Sequence, residues 1–419
     1  MREFTRRQDF AHPFEPNRLE LVDFAPRLIA TSFENYADFA RAYQTRAAPQ
    51  AAVTDAIAAE ARTITAGLTA ERDKVMALYR WVSRNIRYVD VNVGVGGWVP
   101  HPAAQVLQTR WGDCKDHVVV LEALLRAVGI ESSPVLINAT EAYELPPLAA
   151  SSPFNHAITY IPSLDLFLDS TSRYAAKGIL PYAVRGKPAL ITATGEIRRT
   201  PATDAERDKS ATRTAFKVLA DGRLEGQSST EMWGAREYSS RLEQAGDRDR
   251  PQQEIVDELL ARFQETGSGE IESPDPADFD ARWIVKTRFT LDPVANVPGP
   301  SAMTVPVGLA PGRIRDLMTE KPKLDRRYPS TCTSTSSTEE TVIEYPANVT
   351  LERIPPDVEY AAAGIKYFAH YTRKGRTVTV HRMFSISHAK PTCDVRDDRV
   401  WQAFLPVLQR DLRGQIFFR

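Results

Sequence analysis

The spacing of apolar side chains changes character along the chain, and the expected elements follow from those changes. Up to residue 86 the pattern from 51 onward is helical: Val75, Met76, Leu78, Tyr79 and Val82 recur at intervals of three and four, with Thr69 ahead of them as an N-cap. A second helix is predicted from Val118, Leu121, Leu124, Leu125 and Val128, which share one face before Gly129 stops the run. After Gly129 the period shortens. Apolar, β-branched stretches at 134–138, 157–161 and 166–168 are separated by Pro- and Ser-rich connections and read as strands. The segment 51–200 thus reads helix, helix, then strands, an α+β core.

A charged stretch at 201–214 has no apolar periodicity and reads as a linker. Beyond it, strands at 216–219 and 223–228 flank Asp221-Gly222, a hairpin turn pair. Further strands are expected at 283–291, 341–345, 364–372 and 376–384, the last two joined through Lys374-Gly375. Helical patterning is confined to 236–266 and 399–410, and the Ser/Thr-rich 330–337 reads as a turn. Residues 215–419 are therefore expected to form a β-sandwich-like domain with helical insertions. Residues 1–50 are less regular: 19–28 is strand-like but broken by proline, and 33–43 has the aromatic spacing of a short amphipathic helix. They read as an arm packed on the α+β core.

A length of 419 residues exceeds one compact core and implies two or three domains. The charge changes the functional picture more. A formal net charge of −1 argues against a protein devoted to nucleic acid, which needs a concentrated basic face. No apolar run is long enough to cross a membrane, and the polar first 16 residues carry no signal-peptide run. Read as given, the chain would be cytoplasmic. Gly94, Gly96 and Gly97 lie in a loop at 89–100, where no Lys-Ser/Thr comes after them to make a phosphate cradle. His381 and His388 stand seven apart without a cysteine pair beside them, so neither a metal nor a cofactor is expected.

Chemistry concentrates at Trp111-Gly112-Asp113-Cys114-Lys115-Asp116-His117. Asp113 directly precedes the second helical run and suits its N-cap, which puts Cys114 in the first turn. The unpaired N–H groups and partial positive charge of a helix N-terminus favour thiolate and can bind an oxyanion. On position alone, a buried structural cysteine is the competing interpretation. A thiol nucleophile needs a base, and the base an orienting group. His156 opens the strand 157–161 and Asp169 comes directly after Leu166–Leu168, so antiparallel neighbours would hold the two side by side. His117, one turn beyond Cys114, is the competing base, but it is poorly aimed at the sulfur and reads as a packing residue.

The stretches 110–117, 154–157 and 168–171, with the helix ending at Gly129-Ile130, resemble the bacterial transglutaminase-like superfamily, of papain-type thiol fold. The closest likeness is to members carrying a β-rich domain before the core, so residues 1–50 would be the remnant of such a domain. The resemblance implies Cys114 as nucleophile, His156 as general base and acid, and Asp169 as its orienting partner. It also implies an oxyanion hole built from the Cys114 N–H and an upstream donor, with Trp98 and Gln108 as candidates. Asp113, Asn155 and Thr171 would be supports. A periplasmic location is what the resemblance implies.

Cys332 and Cys393 each border a predicted strand and could face one another as a disulfide, or remain two independent thiols. If they pair, Cys114 is the thiol left over. The expected activity is acyl transfer on the amide bonds of a peptide or protein substrate through a thioester, most simply a peptidase or amidase. Protein cross-linking by the same triad, and a non-catalytic envelope binding or assembly module, are the alternatives.

Overall fold

The computed structural model describes residues 15–90, 97–175, 178–310, 314–319 and 326–419. The glycine loop expected at 89–100 falls partly outside these, Gly94 and Gly96 included. Helices α1 (Leu21–Phe24), α2 (Tyr36–Ala47), α3 (Asp55–Ile64) and α4 (Glu71–Asn85) come first. Strand β1 (Arg87–Tyr88), α5 (Ala103–Thr109), β2 (Trp111–Gly112) and α6 (Cys114–Ala127) come next. Strands β3 (Ser133–Ile137), β4 (His156–Ile161), β5 (Leu166–Leu168), β6 (Pro188–Ile191) and β7 (Glu196–Arg199) form an antiparallel sheet in the order β5-β4-β3-β6-β7.

Helix α6 is the axis of this part. Residues Lys115 through Leu125 are all buried, because α3, α4 and α5 cover it on one side and β3 and β4 on the other. The stripe Val75, Leu78, Tyr79 and Val82 of α4 is fully buried against that cluster. A helix enclosed in this way is held rigidly at its N-terminus, beside the start of β4. Helix α4 begins at Glu71 with Ala70 as N-cap, one residue past Thr69, and no side chain caps it.

The second part begins with β8 (Lys209–Val218), β9 (Leu224–Met232), α7 (Ala235–Gly246), α8 (Gln252–Ala261), β10 (Gly267–Glu272), β11 (Ile284–Leu291) and β12 (Ser301–Thr304). It continues through α9 (Asp316–Thr319), β13 (Ser330–Thr331), β14 (Thr335–Glu344), β15 (Leu351–Arg353), β16 (Val358–Ala362) and β17 (Ile365–Lys374). The chain finishes with β18 (Thr377–Ile386), β19 (Thr392–Cys393), α10 (Asp398–Leu412) and β20 (Gln415–Phe418). Eight strands form one sheet in the order β10-β11-β9-β8-β14-β18-β17-β16, antiparallel except for the β8–β14 pair. A three-stranded sheet, β12-β20-β15, and helices α8 and α10 cover one face of it. Met303, Leu351, Phe404, Leu408 and Phe418 pack there on Phe216, Ile343, Tyr367 and Val380. The mostly β, sandwich-like region after an α+β core is the architecture expected.

Several boundaries differ from expectation, each for a physical reason. Strand β8 starts at Lys209, inside the stretch that reads as a linker, and β14 starts at Thr335, inside the stretch that reads as a turn. Their inward positions carry hydroxyls where an apolar scan looks for Val or Ile. Ser210 pairs with Ser337 at 2.9 Å, Thr212 with Thr230 at 3.0 Å and Thr214 with Ser228 at 2.9 Å. The helical stretch 236–266 divides into α7 and α8, with Pro251 as the N-cap of α8. The strand expected at 19–28 is instead the four-residue α1, preceded by a bridge from Arg18 to Ser330.

The N-terminal segment links the two parts. Thr331 N–H donates to the Asn17 carbonyl and Leu19 N–H to the Pro329 carbonyl, both at 2.9 Å. One residue on, Glu20 N–H donates to the Glu141 carbonyl at 2.9 Å. Arg185–Asp208 at 2.8 Å and Arg80–Asp280 at 2.9 Å are direct ion pairs across the boundary.

Candidate active site

Each residue from Gly112 to His117 has a local physical task. Asp113 caps α6, its carboxylate accepting from Lys115 N–H at 3.1 Å and more weakly from Asp116 N–H. Asp116 reciprocates by accepting from Asp113 N–H at 3.1 Å, which completes a capping box. The buried Lys115 ammonium pairs with the Asp113 carboxylate. Asp116 is fully buried and also accepts from His101 N–H at 2.7 Å, with His101 Nδ1 3.0 Å away. Gly112 is a packing requirement, since a Cβ there would run into the Asp116 side chain. His117 is buried and donates from Nδ1 to the Ser170 carbonyl at 2.9 Å. Burial pushes the His117 imidazole down to about 4, so it stays neutral. It ties the loop beginning at Asp169 to α6.

Helix α6 packs across β4, which brings Cys114 to His156 at the first position of that strand. The sulfur acts on the imidazole in the direction that favours its charged form. His156 Nε2 lies 3.0 Å from Asp169 Oδ2, which leaves Nδ1 as the nitrogen for the sulfur. Strands β4 and β5 are antiparallel, with Thr159 opposite Leu168, so Asp169 emerges beside the start of β4. The other oxygen of Asp169 accepts from Thr171 Oγ at 2.6 Å and Thr171 N–H at 3.1 Å. Asp169 is therefore held by Thr171 while it holds His156.

The electrostatics agree with this geometry. Burial favours neutral His156, but the Asp169 charge, its hydrogen bond, and Cys114 outweigh it and raise the imidazole to about 10. Burial likewise works against an ionised Asp169, and the His156 charge and the bonds from His156 and Thr171 hold it below the usual carboxylate range. The arrangement supports an imidazolium beside a sulfur at a helix N-terminus.

Asn155 stabilises the loop after β3, its Oδ1 accepting from Ala139 N–H at 2.7 Å. Trp98 lies edge-on to Phe39, 5.9 Å between centroids, in the aromatic cluster with Phe154 that also packs Cys114. Gln108 is exposed near the end of α5. Sequence reasoning missed Asp116 and His101 as organisers of the helix tip. It also missed Tyr238 of α7, a phenol pushed up by burial and by the charge of Asp169.

Cys332 and Cys393 are bridged, with Cα atoms 5.6 Å apart, where β13 pairs with β19. Together with His388, whose Nδ1 is 3.6 Å from Cys393 Sγ, they make the one close grouping of metal-binding side chains among the described residues. With both sulfurs in the bridge, a single imidazole remains, too few donors for an ion. Cys114 is the free cysteine. No helix among the described residues is long and apolar enough to cross a membrane.

Residues 58–159 match the transglutaminase-like superfamily, a segment that contains Cys114 and His156 and ends before Asp169. That match supports a thiol-dependent enzyme family in general terms. In overall fold the chain is similar to a crystal structure from Parabacteroides distasonis described as a "putative protease", with a TM-score of 0.56 at 10% identity. The similarity covers 93% of this chain and 59% of that one, so the chain spans a little over half the neighbour's length. No curated protein sequence matches the chain.

Proposed function

We propose that the protein cleaves amide or peptide bonds by acyl transfer through Cys114, His156 and Asp169. One observation carries the reading: a free cysteine opens an enclosed helix that packs on the strand headed by His156, whose Nε2 is bound by a buried aspartate. In the proposed cycle the Cys114 sulfur adds to the carbonyl carbon and its electron pair moves to oxygen. The tetrahedral oxyanion collapses, the C–N bond breaks, and protonated His156 gives its proton to the departing amine. A thioester on Cys114 remains. Neutral His156 then takes a proton from water as the water oxygen adds to the thioester. Collapse releases a carboxylic acid and restores the sulfur beside protonated His156. Asp169 keeps the imidazole oriented and stabilises its charge throughout.

The test is mass spectrometry of the full chain after exposure to p-nitrophenyl acetate, then to a peptide library. An acyl group on Cys114 in the parent protein, lost in Cys114→Ala, is the expected result. No acylation of the parent protein, or equal acylation of Cys114→Ala, would overturn the reading. Adding a simple primary amine separates the acceptors: amide product forming faster than acid would turn the reading from hydrolysis to transamidation.

A further inference from the structure

Tyr88 stands beside the segment that leads into the reacting cysteine, although sequence reasoning places it only at the edge of a loop. Strand β1 runs parallel to β2, with Tyr88 opposite Gly112, two residues before Cys114. The Val89 N–H donates to the Gly112 carbonyl at 2.9 Å, and Arg87 N–H to the Arg110 carbonyl at 2.8 Å. The backbone of Tyr88 is therefore anchored on both sides against the segment that leads into α6. Its ring lies against His117, 6.0 Å between centroids and tilted by 48°. His117 is one helical turn beyond Cys114, so the ring sits beside the first turn of α6 while remaining 45% exposed. A side chain packed on one face and open on the other is suited to meeting a substrate.

The surrounding charges keep the phenol protonated. Burial raises the phenol's pKa above its ordinary value, and Cys114, Asp90, Asp113 and Asp169 add to the rise, Cys114 most among them. The hydroxyl thus stays protonated at neutral pH, as a hydrogen-bond donor must. Among the described residues no group takes the Cys114 N–H, although its neighbours Lys115 and Asp116 both donate to Asp113. An oxyanion formed at Cys114 would find that N–H at the helix tip and needs a second donor.

We propose that Tyr88 is a catalytic residue whose phenolic O–H donates a hydrogen bond to the oxyanion formed when Cys114 attacks a carbonyl. The inference rests on the acyl-transfer reading above. It assigns the second donor to β1 rather than to Trp98 or Gln108. The phenol keeps its proton, and the bond lapses when the tetrahedral species collapses.

The experiment compares two reactions of the same sulfur in the full chain. Iodoacetamide alkylates by displacement at a saturated carbon and builds no oxyanion. Acylation by p-nitrophenyl acetate passes through one. Tyr88→Phe keeps the ring on His117 and removes only the hydroxyl. It is expected to slow acylation about 10²–10³-fold, as loss of an oxyanion-hole donor does, with alkylation unchanged. Acylation within about threefold of the parent, or a parallel fall in alkylation, would overturn the assignment. The same loss from a Trp98 substitution, with Tyr88→Phe unaffected, would transfer the role to Trp98. A parent protein that alkylates but never acylates would instead defeat the acyl-transfer reading itself.

Discussion

At the scale of single residues, the pair His156–Asp169 makes a statement about pH. An imidazole raised to about 10 from an ordinary value of about 6.5 contributes stability that is fully present below about pH 6.5. That contribution is lost as pH rises through about 10. Urea midpoints measured from pH 6 to 10 should fall across this window, and His156→Gln should remove that part of the slope; identical slopes would refute the pairing. Gly112→Ala asks a packing question at the same helix tip. The new Cβ meets the buried Asp116 side chain, so a loss of about 1–3 kcal/mol is expected in urea unfolding. A stability within error of the parent would mean that the Asp116 cap is softer than its geometry. The candidate nucleophile is legible in the sequence because Asp113 stands as a capping residue just before a long apolar run. Its histidine and aspartate are legible from strand order. Tyr88 is not, because what brings it beside Gly112, two residues before Cys114, is a two-residue parallel pairing between positions 24 residues apart, which leaves no periodic trace.

At the scale of elements, the Ser/Thr rows of the large sheet are the feature most opposed to expectation. Burying a hydroxyl is unfavourable unless it finds a partner, and here the partners are other hydroxyls across adjacent strands. Thr212→Val removes one partner and leaves the fully buried Thr230 hydroxyl alone, at a cost of about 1–3 kcal/mol. Adding Thr230→Val should recover much of that loss. A double variant as unstable as the sum of the singles would show that the pairing is not the cause. The same rows explain why an apolar pattern starts β8 and β14 too late. Period-two alternation is present in both, but it alternates exposed polar with buried polar, and hydropathy cannot tell those apart. The apolar ends of the same strands, around Phe216 and Ile343, are legible because burial there takes its usual chemical form.

At the scale of the whole molecule, the region after residue 314 is tied back on itself and onto the N-terminal segment. The Cys332–Cys393 bridge closes a loop across a sequence separation of 61 residues, next to the site where Asn17 and Leu19 meet residues 329–331. By chain entropy such a closure stabilises by about 4 kcal/mol. A Cys332→Ser/Cys393→Ser double variant should unfold at lower urea, whereas iodoacetamide should still label Cys114 at the parent rate. A fall in that rate would show that the closure reaches the helix tip. The parallel pairing of β8 with β14 has a further consequence, which belongs to biosynthesis. Strand β8 is complete at residue 218, yet its second neighbour ends at residue 344. On a ribosome adding about 5–20 residues per second, the open edge of β8 waits roughly 6–25 s for its partner. During that interval it offers unpaired backbone groups to any other nascent chain. A chain ended at residue 310 keeps this edge open permanently and is expected to sediment with aggregates or remain bound to chaperones, unlike the full chain.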